Sequence, residues 1–273
     1  MEPGKVSVIM AIYNCAQYLP EAIDSILNQT YTNWELILCD DASTDDTYRV
    51  AKQYADKYPD KIKLIQNVRN SKLSYSLNRC LQYATGEFVA RMDGDDVCLP
   101  ERFEKQVTYL REHPEYQFVG TDMQHFNEHT GLADIVPSGM NPDYYSLRKY
   151  IPYHHATILT YKYVYERVGG YTVSERTIRS QDYDLWFRIY HEGFLGNNIH
   201  EPLYRMRENA GAIRRRTFKV RWNALKTTYI GFKLLKYPKW WLIRPTMVCL
   251  MKSLVPFWGV DLYRKWQACR SRQ

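Results

Sequence analysis

The chain opens on Val6-Ser7-Val8-Ile9-Met10-Ala11-Ile12, a run of mostly apolar and β-branched side chains that ends at Tyr13-Asn14. A short apolar run closed by polar residues predicts a strand buried on both faces. The period then changes: Leu19, Ala22, Ile23, Ile26 and Leu27 recur at spacings of three and four, as on the apolar stripe of an amphipathic helix. The alternation repeats. Trp34 to Cys39 predicts a second strand, and the polar turn Asp40-Asp41-Ala42-Ser43-Thr44-Asp45-Asp46 follows, with Ser43 or Thr44 expected to cap a helix running to Tyr58. Ile62 to Gln66 predicts a third strand and Ser74 to Ala84 a helix stopped at Thr85-Gly86. Phe88 to Met92 predicts a fourth strand that ends on Asp93-Gly94-Asp95-Asp96.

Strands alternating with helices predict an α/β fold built on a mostly parallel, doubly wound sheet flanked by helices. In such sheets ligands bind beyond the carboxyl ends of the strands. Three polar clusters fall there, Tyr13-Asn14, Asp40-Asp41 and Asp93 to Asp96, so three strands direct their polar ends into one crevice. The second half is less regular. Pro100 to His113 predicts a helix, Phe118 to Thr121 a short strand, and Asn127 to Asn141 a loop. Tyr153 to Leu159 precedes a short helix ending at Val168, with a turn at Gly169-Gly170 and a helix over Gln181 to His191. From Ala212 onward the pattern is helical, basic and aromatic.

With 273 residues, 45% apolar and 25% charged, the chain has enough apolar material for a sizeable core and is neither disordered nor collagenous. Its six cysteines form no C-x-x-C pair, zinc spacing or disulfide framework, which predicts a reducing compartment. No charged n-region or long apolar stretch precedes the first strand, so no secretory leader is expected. The net charge of +7 hides an asymmetry: residues 1–202 carry 20 Lys and Arg against 28 Asp and Glu, while residues 203–273 carry 17 against 2. An acidic body therefore bears a strongly basic tail.

Asp93-Gly94-Asp95 places two carboxylates close together at a strand end. Such carboxylates repel unless a cation lies between them, and a hard divalent ion shared with nucleotide phosphates relieves that repulsion. Acidic turns are also common loop punctuation, so the tripeptide alone decides little. The ordered set S-V-I-M-A-I-Y-N, L-C-D-D-A-S-T-D-D-T, A-T-G-E-F-V-A-R-M-D-G-D-D-x-x-L-P-E-R-F and R-S-Q-D-Y-D-L-W-F-R is more specific. Over roughly residues 5 to 210 it resembles the family 2 glycosyltransferases of the GT-A fold.

The resemblance implies a glycosyltransferase domain over 1–210, with a nucleotide-binding half (1–98) and an acceptor-binding half (99–210), followed by a tail over 211–273. It implies that Tyr13 stacks on the donor's base, that Asp41 accepts a hydrogen bond from the base with Asp40 supporting the turn, and that Asp93 holds the ribose or supports a metal. Asp95 would ligate Mn2+ or Mg2+ bridging the donor phosphates, and Asp96 would be structural, as a helix cap. Asp182, in Gln181-Asp182-Tyr183-Asp184, matches the acid that takes the proton from the incoming hydroxyl, giving inversion by single displacement. His154 and His155 fall on the acceptor side. The implied partners are a nucleotide-sugar donor, UDP-sugar by preference, and a glycan or lipid-linked glycan acceptor.

The chain departs from the family pattern in two places. Gln181 replaces a glutamate, and Asn70-Ser71-Lys72 replaces Asn-x-Gly, which leaves Arg69, Lys72 and Arg79 as phosphate contacts or ordinary surface residues. The Gln-x-x-Arg-Trp signature of processive synthases is absent, so single addition is expected. A sugar-nucleotide pyrophosphorylase would carry a glycine-rich phosphate loop, and none lies between Val6 and Tyr18. The intact acids argue against a non-catalytic carbohydrate-binding or scaffold protein.

In the tail the longest charge-free stretches, Pro245 to Met251 and Ser253 to Val260, are seven and eight residues, far short of the ~20 needed to span a bilayer. Tryptophan, leucine and lysine in short helices, expected to break at Pro245 and Pro256, predict segments lying in a membrane interface. A membrane surface is favoured over nucleic acid, which an acidic cleft repels. The expected location is cytoplasmic, peripheral on the inner face of the cytoplasmic membrane.

Overall fold

The computed structural model describes residues 1–127, 131–149, 151–208 and 217–254. Strands β1 (Glu2–Ile12), β2 (Trp34–Asp40), β3 (Ile62–Gln66) and β4 (Gly86–Arg91) pair in parallel in the order β3-β2-β1-β4. They are joined by α1 (Leu19–Leu27), α2 (Thr47–Lys57) and α3 (Leu73–Tyr83). The continuous apolar run of β1 is explained by burial on both faces. Val6, Val8, Met10 and Ile12 pack with Ala22, Ile23 and Ile26 of α1, while Ile9 packs with Ile37, Leu77 and Cys80 on the opposite side. Ser43 and Thr44 do not cap α2; Asp46 is its N-cap, and both hydroxyl residues bind Asn14 instead.

The same sheet continues through the second half as a mixed array. There it is built from β5 (Val97–Cys98), α4 (Arg102–Glu112), β6 (Phe118–Asn127), β7 (Gly131–Val136), β8 (Leu159–Tyr161), α5 (Lys162–Val168), α6 (Gln181–His191) and β9 (Gly196–Arg207). β8 pairs antiparallel with β4 and β6, β9 runs parallel to β6, β5 pairs antiparallel with β9, and β7 pairs antiparallel with β6. Three expectations are corrected here. The short strand at Phe118 runs on to Asn127, the loop after it contains β7, and β9 was not anticipated. β9 is polar and contains Pro202, which removes the usual strand signal. The register shifts around Asp122 opposite Pro202, a bulge that accommodates a residue without an N–H.

Beyond the sheet, α7 (Phe218–Leu234) crosses α6 with Gly231 set against the Phe187 ring, leaving no room for a side chain. A turn through Lys236, whose φ is +54, leads by Pro238 to α8 (Ile243–Leu254). Pro245 does not break this tail. It lies in the first turn of α8, where a missing N–H costs no helical hydrogen bond, and the break falls at 235–238 instead. Pro256 lies outside the described residues.

Candidate active site

Parallel pairing brings the polar ends of β1, β2 and β4 together, with Ile12 beside Asp40 and Ile9 beside Arg91. Where β1 ends, Asn14 adopts φ +49, a conformation asparagine tolerates. Its backbone N–H donates to Ser43 Oγ (3.1 Å), and its Oδ1 accepts the Thr44 N–H (2.8 Å). These bonds tie the two strand exits together and leave the Tyr13 ring 46% exposed on the rim.

Asp40 is fully buried; its carboxylate accepts the Ser43 N–H and, at 3.0 Å, Gln66 Nε2. Asp41 is also buried and accepts from Asn67 Nδ2 (2.7 Å), Ser71 N–H (2.8 Å) and Lys72 N–H (2.9 Å). These bonds fold residues 67–72 over the crevice. They hold Lys72 at φ 72 and ψ 164, a region otherwise left almost entirely to glycine. This is the position where the family pattern has its glycine. Arg79 donates to the Gln66 carbonyl and Asn67 Oδ1, so its guanidinium serves this segment. The Arg69 and Lys72 side chains are exposed.

The three acids after β4 have three different environments. Asp93 receives both terminal nitrogens of Arg91, at 3.1 and 2.8 Å, and Arg91 is itself buried. Asp96 is buried and accepts the Tyr204 hydroxyl (2.8 Å) and the Arg207 N–H (2.9 Å). It thus joins this loop to β9 and caps no helix. Asp95 is half-buried and receives no hydrogen bond from another described residue; burial and the negative charge of Asp93 push its pKa up. Arg207 braces its backbone, donating Nε to the Asp95 carbonyl at 2.9 Å while its guanidinium stacks over Tyr18 and Phe126.

Two acids in the first turn of α6 also diverge. Asp184 is buried and tied to the Thr172 hydroxyl (2.6 Å), Arg176 (2.8 Å) and Arg188 (3.0 Å), which hold its carboxyl below the ordinary range against the cost of burial. Among the described residues Asp182 accepts only the Tyr183 N–H (2.8 Å), and burial raises its pKa, opposed by that bond and by the positive charge of Arg91. Asp93, Asp95 and Asp182 therefore all lie in the field of one guanidinium. Beside Asp182, the Gln181 Oε1 is buried without a partner among the described residues.

The two histidines expected on the acceptor side differ in burial. His155 is buried; its Nε2 pairs with the Tyr171 hydroxyl at 2.9 Å, its ring lies edge-on to Trp186, and burial pushes its pKa well down. His154 is half-buried with Nε2 3.1 Å from the Val136 carbonyl. The residues that sequence reasoning missed are Arg91, Tyr204 and Arg207. Arg91 lies two before Asp93 and so on the same face of an extended chain, a spacing that could have revealed it. Tyr204 and Arg207 belong to β9 and had no such signal.

Among the described residues no three His, Cys, Asp or Glu side chains cluster as a metal cage, and no helix is long and apolar enough to cross a membrane.

Residues 7–167 match the family model described as Glycosyl transferase family 2. The chain is 50% identical over 236 residues to the putative glycosyltransferase EpsE of Bacillus subtilis (strain 168), covering 86% of this chain and 84% of that one. It is 28% identical over 214 residues to WfaP of Escherichia coli, a UDP-Glc:alpha-D-GlcNAc-diphosphoundecaprenol beta-1,3-glucosyltransferase, covering 78% and 81%. The solved structure of the mannosyltransferase PcManGT from Pyrobaculum calidifontis, in complex with GDP-Man and Mn2+, aligns over 97% of this chain and 79% of its own at a TM-score of 0.63. At 20% identity that likeness shows the fold.

Proposed function

This chain is a glycosyltransferase belonging to family 2, and from that premise we propose that it moves a single sugar from a nucleoside-diphosphate donor to a glycan or lipid-linked glycan, with inversion. UDP-sugars are the preferred donors. The exposed face of Tyr13 supports stacking on the base. Three of the roughly four lone-pair sites of Asp41 are taken, which leaves one for an N–H of the base. Asp93, held by Arg91, would hold the ribose or support the metal.

The residues present fit a hard divalent cation, Mn2+ or Mg2+, with Asp95 as its protein ligand. Asp95 is an oxygen donor without a counter-charge in contact, and such ions are commonly held by one or two carboxylates plus substrate phosphates. When bound, the ion supplies Lewis-acid neutralisation of the departing diphosphate. Asp182 accepts the proton of the attacking hydroxyl. A base with a raised pKa is better matched to that task than an ordinary carboxylate.

The basic, aromatic tail supports a peripheral place on the inner face of the cytoplasmic membrane. Residues 217–254 carry eight Lys and Arg and no acid. On α8, Ile243, Met247, Leu250 and Met251 expose one apolar stripe.

The observation that carries the reading is the shared field of Arg91, which gathers the acids of the donor end and the base of the acceptor end around one charge. The test is a thermal-shift screen of nucleotide sugars with and without Mn2+, followed by transfer assays of Asp182→Asn. The variant should bind donor and transfer nothing. Transfer near the unmutated rate would refute the assigned base.

A further inference from the structure

On the acceptor side of α6, the segment carrying the short helical turn Ser146–Arg148 meets the turn between α7 and α8. Between them lies an open groove of about 840 Å³, walled by Tyr145, Arg148, Lys149, Lys236, Tyr237 and Trp241. A smaller hollow of about 340 Å³ shares Arg148 and Trp241 and continues to Trp240, Ile243 and Arg244, at the start of the exposed apolar stripe of α8.

The groove's wall is aromatic and its charge is positive. The Tyr145 and Tyr237 rings stack at 6.1 Å, Tyr237 and Trp241 lie 5.1 Å apart, and the Arg148 guanidinium sits 4.4 Å over the Trp241 ring. Arg148, Lys149, Lys236 and Arg244 make no ion pair among the described residues. The one acid, Asp143, accepts the Tyr145 N–H and the Ser146 hydroxyl. The Trp241 indole N–H is buried and has no acceptor among the described residues.

This groove is connected to the catalytic end. The Tyr183 hydroxyl, next to Asp182, donates to the Leu147 carbonyl at 2.6 Å, one residue before Arg148. The Tyr144 hydroxyl donates to the Leu235 carbonyl at 2.6 Å, closing the other side. We propose that this groove binds the diphosphate and first sugar of a lipid-linked acceptor, whose hydrocarbon chain leaves past Trp240 along the apolar stripe of α8. Guanidinium and ammonium groups supply charge-assisted hydrogen bonds to phosphate, the flat rings pack on a sugar face, and the volume suits a head group of this size.

The inference rests on the glycosyltransferase reading, and its test needs no transfer. The full chain is floated with phosphatidylcholine vesicles containing undecaprenyl diphosphate, without sugar or donor, and with charge-matched vesicles containing phosphatidylglycerol. The diphosphate lipid should be preferred by about tenfold or more, because hydrogen bonds to charged groups are being compared with diffuse attraction. Arg148→Gln with Lys236→Gln should erase that preference while phosphatidylglycerol binding persists. Lys149→Gln with Lys236→Gln, which leaves the Arg148–Trp241 stack untouched, should reduce it. Equal binding of both vesicles by the unmutated chain, or a preference that survives both double variants, would overturn the proposal. Inorganic pyrophosphate should fail to displace the chain. Displacement at micromolar pyrophosphate would overturn the lipid assignment in favour of a soluble diphosphate. Loss of transfer in a chain that keeps the lipid preference would count against the glycosyltransferase mechanism and leave the groove standing.

Discussion

Lys72→Gly should stabilise the protein. Lys72 holds φ 72 and ψ 164, and a side chain in that region costs about 1–3 kcal/mol. The conformation persists because Asp41 pulls on two successive N–H groups, Ser71 at 2.8 Å and Lys72 at 2.9 Å. Hydrogen bonds to a charged group contribute about 1.5–3 kcal/mol each, so the pair outweighs the strain. Glycine removes the strain and keeps both bonds, and its larger unfolded-state entropy returns about 0.5–1 kcal/mol. The net gain is about 0–2.5 kcal/mol, centred near 1 kcal/mol, which for a chain of this size raises Tm by up to roughly 10 °C. Scanning calorimetry measures it, with Lys72→Ala as the control that removes the charge and keeps the Cβ. Alanine should stay close to the unmutated Tm. A Tm for Lys72→Gly at or below that of Lys72→Ala would refute the strain argument.

Gly231→Ala places a Cβ about 2.0 Å from the Phe187 ring; overpacking of this kind costs about 1–3 kcal/mol, read as a lowered Tm and faster proteolysis in α7. Asp182→Asn should raise Tm at neutral pH while abolishing transfer. A carboxyl whose folded pKa is raised makes the native state bind more protons, so its contribution to stability falls as pH climbs from the ordinary range through the folded value, and an amide has no such dependence. Thermal melts across pH check the sign, and a lower Tm for the variant at neutral pH would contradict it. Met247→Glu with Leu250→Glu should release the chain from anionic vesicles in flotation, since both side chains are exposed on α8. These substitutions are a cleaner probe than truncation near Val220, which would strip α7 from Phe187.

The first hundred residues were legible because each signal was local. β1 and β2 are apolar on both faces, the helices between them have clean three-and-four spacing, and the polar residues stand where the strands stop. The acid cluster could be found for the same reason, but its division of labour could not. Nothing in the order Asp93-Gly94-Asp95-Asp96 says that Arg91 takes the first acid and that Tyr204 and Arg207, over a hundred positions later, take the third. β9 escaped notice because its pairing is non-local and its Pro202 sits in a bulge. The two adjacent histidines look equivalent in sequence, whereas the turn His155–Thr157 sends one ring against Trp186 in the aromatic core.

The first turn of α6 shows how the fold separates structural from chemical acids. Asp182 and Asp184 share a helix, a residue type and the same favourable dipole at its N-terminus, so local sequence treats them alike. Their difference comes from what faces them. Asp184 points at two arginines and a hydroxyl and is fixed as an anion that pins Arg176 and Arg188. Asp182 meets only one backbone N–H and the more distant charge of Arg91, and burial therefore moves it in the opposite direction. Between them Tyr183 reaches away to Leu147, so the helix that holds the proposed base also fixes the wall of the groove beside it. On the proposed assignments, position of the acceptor and position of the base are set by one rigid element, which is what a displacement would require when the attacking hydroxyl must meet both the anomeric carbon and the base at once.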